Sequence, residues 1–264
     1  RSTLFPYTTL FRSLADQRLQ LGLGPSDPSP TAVVTTPAYE SARPRASVII
    51  GLCDRRDLVT EALSSAADSI GVPFEIVLQD DGSTDGSFDV VRRFMDEHPD
   101  LPMIAVRREL NRGPSATRND LVERARADYL FSLDAAAGVY PTCLARLAEA
   151  LDADPDAAFA HCIVAGRRDG EIVWTTTFED WSPERFREGN CIDAMAMLRR
   201  GALERVGGRA ASMVFGGEDF DLRARPAEAG ERAAFVPQVL AWHRMSDTFC
   251  QRSEERRVGK ECRS

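Results

Sequence analysis

Four short segments carry side chains whose types and spacing could do chemistry. Gln79-Asp80-Asp81-Gly82-Ser83-Thr84-Asp85-Gly86-Ser87 sets two carboxylates beside a glycine turn. Such a pair offers acceptors to a base or a ribose, and Ser83 or Thr84, helped by Asp85, could cap a following helix. The same residues also suit an ordinary strand–turn–helix junction. In the run from Asn111 to Asp120, Gly113 permits a tight turn and Pro114 suits a first helical turn. Arg118, one turn further on, could hold a diphosphate or a carbonyl of a base, or simply stand at the surface. Asp134 follows the apolar run Tyr129–Leu133, where a carboxylate could meet a ribose hydroxyl or a metal. Glu218, Asp219 and Asp221 open a helix-like stretch; the helix dipole favours acids there, and a general base could stand there too.

The elements that must position these groups alternate. Short continuous apolar runs at Ser47–Leu52, Phe74–Leu78, Met103–Val106 and Tyr129–Leu133 read as buried parallel strands. Between them, Asp57–Ile70, Ser87–Glu97 and Ser115–Ala127 have helical periodicity. Strand–helix alternation of this kind predicts an α/β fold with a mostly parallel sheet, right-handed crossovers and ligands beyond the carboxyl ends of the strands. Asp54, Asp80, Asp81 and Asp134 cluster at those ends. Further on, Pro141–Leu151 reads as a helix, Ala158–Val164 as a strand, 171–190 as loop and Ile192–Leu198 as a strand. A short helix is expected over Gly201–Val206 and a closing strand over Phe235–Trp242. The stretch 24–46 holds five prolines, so 14–46 is expected to be a linker or lead-in.

The chain has 264 residues and a net charge of −8. Its acidity argues against a nucleic-acid partner, and no apolar run reaches the roughly 20 residues of a membrane-spanning helix. Segments 1–13 and 252–264 differ in style from the interior, the second carrying Lys260, the one lysine of the chain. Both read as adapter or cloning read-through, which leaves the interior at −12. The interior is then open to being a fragment of a longer chain. Six cysteines at 53, 143, 162, 191, 250 and 262 lack zinc-type spacing and are expected as free thiols in a reducing compartment.

Taken in order, the motifs SVII, QDDGSTDGS, NRGPSATRN, YLFSLDA and GGEDFDLRAR resemble the family 2 glycosyltransferases of GT-A fold, over Ser47 to Thr248. The resemblance implies a single Rossmann-like domain at 47–248, with a nucleotide half at 47–140 and an acceptor half at 141–248. It implies an inverting transfer of a hexosyl unit from a nucleotide-diphosphate sugar, UDP- or dTDP-linked, to a saccharide or other hydroxyl acceptor. Asp80 and Asp81 would contact the base, and Asp54, Asn111, Gly113 and Arg118 would help hold the nucleotide. Asp134 would begin the Asp-x-Asp motif that meets ribose and Mg²⁺ or Mn²⁺. Asp219, with Glu218 beside it, would be the base that deprotonates the acceptor. The setting implied is bacterial polysaccharide or glycoconjugate synthesis in the cytoplasm, or peripherally at the inner membrane face.

The chain departs from that pattern at 136, where Ala136 stands in place of the carboxylate expected to ligate the metal. Asp134 with His243 as a second ligand makes a poor oxygen site. Three accounts remain open: an impaired transferase, coordination completed by substrate phosphates, or arginine neutralising the diphosphate. Cys53 also replaces an expected aromatic platform, and Pro226 interrupts the helix after Asp219. The alternative function is a non-catalytic relic of the fold that binds nucleotide or a partner. A nucleotidyltransferase would need a Gly-rich, Lys-containing loop after the first strand, and Leu52-Cys53-Asp54-Arg55-Arg56-Asp57 is not one. Acceptor choice is expected to lie in the second half, around Trp174, Phe178 and Trp181.

Overall fold

The computed structural model describes residues 30–175, 192–205 and 231–245. Its strands are β1 (Ala32–Thr35), β2 (Ala46–Leu52), β3 (Phe74–Asp81), β4 (Met103–Arg108), β5 (Tyr129–Asp134), β6 (Ala137–Val139), β7 (Ala157–Arg168), β8 (Glu171–Thr175), β9 (Met197–Arg199) and β10 (Arg232–Arg244). Its helices are α1 (Val59–Ala67), α2 (Ser87–Glu97), α3 (Pro114–Arg124), α4 (Cys143–Ala153) and α5 (Arg200–Arg205). The strands form one sheet in the order β1-β4-β3-β2-β5-β9-β7-β10-β6, with β8 paired to β7.

Strands β4, β3, β2 and β5 run parallel, as do β7 and β10. β2 and β3 are buried along almost their whole length because helices cover both faces of the sheet. One apolar cluster joins α1, α2 and α4 to the sheet, and a second joins α3 and α5 to the opposite face. A carboxylate sits inside this sandwich. Glu75 is fully buried and accepts from the Ser47 hydroxyl, the Arg126 backbone N–H and Arg126 Nε, each at 2.7 Å. Every such bond repays part of the cost of taking a carboxylate out of water. The Arg126 guanidinium in turn lies 3.9 Å over the Tyr39 ring.

The alternating strand–helix pattern is as expected through the first half, with β3, β4 and β5 each running further toward the polar end. Elsewhere the structure corrects the expectation. Within the supposed lead-in, Ala32–Thr35 is an edge strand antiparallel to β4. The Thr36 hydroxyl anchors it, donating to the Leu101 carbonyl at 2.6 Å and accepting the Met103 N–H at 3.0 Å. Prolines flank this strand rather than interrupt it. The supposed loop from 171 begins as strand β8, turned back on β7 through Asp169 and Gly170, both at positive φ. Of the strand expected over Ile192–Leu198, only Met197 and Leu198 are in one, strand β9. Strand β6 was not expected at all: its three residues are too few to show a period. Helix α2 begins without a side-chain cap from Ser83 or Thr84; Asp85 instead accepts the Ser87 N–H at 2.9 Å. Among the described residues no helix is long and apolar enough to cross a membrane.

Candidate functional site

The carboxyl ends of β2 and β3 and the loop before α3 close on one another. Gly82, at φ 78°, makes this possible: a Cβ there would stand 2.9 Å from the Asn111 backbone nitrogen. Asp81 ends β3 and is almost wholly buried. One of its oxygens accepts the N–H groups of Arg112 at 3.0 Å and Gly113 at 2.9 Å. Burial pushes the Asp81 carboxyl above the usual range, and the Thr117 hydroxyl and the two N–H groups pull against that rise. Asp80, fully buried, accepts the Ser83 N–H at 3.0 Å and faces Arg107 at 3.7 Å. Its pKa is also raised, again chiefly by burial.

Asp54 sits at the end of β2 with φ 49°. Its N–H donates to the Ser83 hydroxyl at 2.9 Å, and its carboxylate accepts the Thr84 N–H at 2.8 Å. Cys53 beside it is a half-buried free thiol that accepts from Asn111 Nδ2 at 3.1 Å. The other Asn111 side-chain atom, Oδ1, accepts the Gly113 N–H at 2.8 Å. Asp54, Asp80, Asp81, Asn111 and Gly113 are thus brought together where β2, β3 and the loop before α3 meet. Such a group holds carboxylates suited to a nucleobase or ribose. Arg118 lies half-buried on the second turn of α3.

Asp134 is exposed at the end of β5, in register with Gly51 of β2, which is itself in register with Gln79 of β3. Two strand spacings, about 10 Å, therefore separate Asp134 from the acidic end of β3. The Asp134 carboxylate accepts the Ala136 N–H at 3.1 Å. Just beyond, β6 pairs with β10 and aligns Ala137 with His243. His243 Nε2 lies 2.8 Å from Asp193. Burial works against a charged imidazole, but Asp193 and, further away, Asp134 outweigh it and raise the pKa of His243.

These residues do not fit the divalent metal that the motif order implies. Ala135 and Ala136 supply no side-chain oxygen, and a His243 imidazole pushed toward its protonated form by Asp193 is a poor ligand. Among the described residues no three His, Cys, Asp or Glu side chains stand together as metal ligands. Glu218 and Asp219 lie outside the described residues, as do Phe178, Trp181, Cys191, Pro226, Cys250 and Cys262.

Four contributors were not foreseen. Arg107 and Arg108 lie opposite Asp80 and Asp81 in the β3–β4 register, and Arg108 pairs with Asp120 of α3. The signal was there as a pair of basic residues directly after the β4 apolar run. Thr117 and Asp193 gave no signal, because only the folded chain brings them to Asp81 and His243.

The glycosyl transferase family 2 model matches residues 47–207. The chain belongs to this family. Among curated relatives, the glycosyltransferase YibD of Escherichia coli K12 is 29% identical over 160 residues, 60% of this chain and 44% of the relative. The succinoglycan biosynthesis protein ExoU of Rhizobium meliloti is 30% identical over 206 residues, 72% of this chain and 58% of ExoU. The chain therefore spans about half the length of these two relatives. Among solved structures, Staphylococcus aureus TarS in complex with UDP-GlcNAc superposes with a TM-score of 0.64 at 19% identity, covering 77% of this chain and 59% of that one. The mannosyltransferase PcManGT of Pyrobaculum calidifontis, in complex with GDP-Man and Mn²⁺, gives 0.59 at 24% identity, covering 90% and 66%. At these identities the likeness is one of fold, a mostly parallel GT-A sheet flanked by helices.

Proposed function

We propose that the chain transfers a sugar from a UDP- or dTDP-linked donor to an acceptor hydroxyl, with inversion. The observation that carries this reading is the buried Asp80–Asp81 pair, which the Arg112, Gly113 and Ser83 N–H groups hold at the end of β3. Buried carboxylates with raised pKa are costly to keep, and a base N–H is a partner that would stabilise them. In this reading Asp81 and Asp80 bind the base, Asp54, Asn111, Gly113 and Arg118 frame the nucleotide, and Asp134 meets the ribose. Asp219, with Glu218 beside it, takes the proton of the acceptor hydroxyl. The acceptor oxygen then bonds to the anomeric carbon as the bond to the diphosphate oxygen breaks, its electron pair leaving with the nucleotide. Residues 47–140 serve the donor and 141–248 the acceptor. A bound Mg²⁺ or Mn²⁺ would stabilise the leaving diphosphate; with Ala136 in place of a carboxylate that help is weak and turnover is impaired. The acceptor is a saccharide or other hydroxyl compound of bacterial polysaccharide or glycoconjugate assembly, and the setting is the cytoplasm or the inner membrane face.

The test is UDP titration with and without Mn²⁺, together with UDP-sugar hydrolysis, for the parent chain and Ala136→Asp. UDP should bind the parent chain alike with and without Mn²⁺. Ala136→Asp should make both binding and hydrolysis respond to Mn²⁺, hydrolysis rising by about tenfold or more. No UDP binding would overturn the donor assignment, and an Ala136→Asp chain indifferent to Mn²⁺ would overturn the account of the defect.

A further inference from the structure

The Ala136 carbonyl accepts the Arg244 N–H at 3.2 Å, so the turn after Asp134 abuts the end of β10. There β10 and β7 run parallel and set Arg244 directly beside Arg167. Like charges placed side by side on neighbouring strands repel unless anions answer them. Glu61 of α1 answers Arg244 in an ion pair. No carboxylate among the described residues pairs with Arg167; its guanidinium instead lies 4.8 Å over the Trp242 ring. That ring is itself fixed, for it fits against Gly138 so closely that a Cβ there would come within 2.2 Å of it. A guanidinium stacked on an indole keeps a preset edge of N–H donors for an oxyanion. Arg167, Arg168 and Arg244 line a cavity of about 380 Å³ together with Trp242, and Glu61 and Asp169 are the two acids of its wall. Of these cations, Arg167 is the one that stands on an aromatic ring with no carboxylate partner among the described residues.

We propose that this cavity is a phosphate-binding site, with Arg167 and Arg244 as its donors and a phosphate mono- or diester as its ligand. The phosphate has two possible carriers, the donor's diphosphate or an acceptor that bears its own phosphate. The assignment asks only for phosphate and stands apart from the identity of the nucleotide.

The test is calorimetric titration of the full chain with inorganic phosphate, glycerol 3-phosphate and UDP, for the parent chain, Arg167→Gln, Glu61→Gln and Arg43→Gln. Arg43 is a control: it is exposed on the segment before β2, where it donates to the Glu40, Ser41 and Ala42 carbonyls. Arg167→Gln should weaken binding by about tenfold or more, the effect of losing a charged donor. Glu61→Gln should tighten it, because the competing carboxylate on Arg244 is gone, and Arg43→Gln should leave it unchanged. If Arg167→Gln fails to fold, Glu61→Gln still decides, since a gain of affinity cannot come from damage. Dependence seen with glycerol 3-phosphate assigns the phosphate to the acceptor, and dependence seen with UDP alone assigns it to the donor. Affinities that ignore both Arg167 and Glu61, or no binding of any probe, overturn the site. UDP binding that persists while no probe depends on either residue would overturn the site and leave the donor reading intact.

Discussion

The Asp81 carboxylate accepts the Gly113 N–H at 2.9 Å, tying the end of β3 to the first turn of α3. Asp81 is therefore a brace for the loop before α3, and in the proposed reading it is also the acceptor for the base. The two roles pull in different directions, because its charged form is the one burial opposes.

That conflict predicts an unusual pH profile. The pKa values of Asp80 and Asp81 are both raised by burial above the ordinary 3.8. As pH falls through this raised window the folded chain takes up protons before the unfolded chain does, so these two groups add to stability there. A base N–H needs the ionised form, so UDP affinity falls over the same window. Calorimetry between about pH 4 and 8 should show the loss beginning above the ordinary carboxylate range. A flat profile down to that range would count against Asp81 as the base acceptor.

Asp81→Asn should separate the two roles. The amide keeps an oxygen for the Arg112 and Gly113 N–H groups but carries no charge to desolvate. Thermal melting at neutral pH should therefore be unchanged or higher, while UDP affinity drops by about tenfold or more. A large fall in melting temperature would show that the ionised form is what holds the loop.

Arg126→Ala should be among the most destabilising single changes. It strips Glu75 of its Arg126 Nε partner and leaves a fully buried carboxylate short of its counter-ion. Breaking a buried pair from one side costs about 3 to 5 kcal/mol, toward the lower end here because the guanidinium is 29% exposed. Urea unfolding measures it, and a loss under about 1 kcal/mol would mean that the Ser47 hydroxyl and the backbone suffice.

Gly138→Ala tests the packing of the second half. The added methyl would meet the Trp242 ring at 2.2 Å, and that ring also carries Arg167. A cost of about 1 to 3 kcal/mol is expected from overpacking. Phosphate binding at Arg167 should weaken with it. A variant as stable as its parent would show the ring free to move aside.

How much of this was legible in the sequence depended on how local the determinants were. The runs at Val48–Ile50 and Ile76–Leu78, each followed by acid, announced parallel strands with polar carboxyl ends, and Asp54, Asp80, Asp81, Asn111 and Gly113 are neighbours at those ends. Helix α2 fell at its expected bounds because Val91, Phe94 and Met95 recur with helical spacing. Strand β1 was hidden because its side chains alternate between exposed and half-buried positions amid prolines, so that its pairing with β4 carries the signal. The Asp193–His243 contact spans 50 residues, and the Arg167–Arg244 pairing spans still more. Neither has any local mark. The register of β7 on β10 decides the second, and the packing of the segment before β9 against β10 decides the first.

The clasp of β6 against β10 changes how the two halves of the chain should be pictured. Asp134 closes β5, yet three residues later the backbone is already paired with β10, about a hundred residues further along the chain. A cut after residue 140 would leave β6 without the strand it pairs with. Asp134, Ala135 and Ala136 thus act as a short mechanical tether between the middle of the sheet and its β6 edge. Strain arising at β10 would reach the Asp134 carboxylate through three residues of main chain.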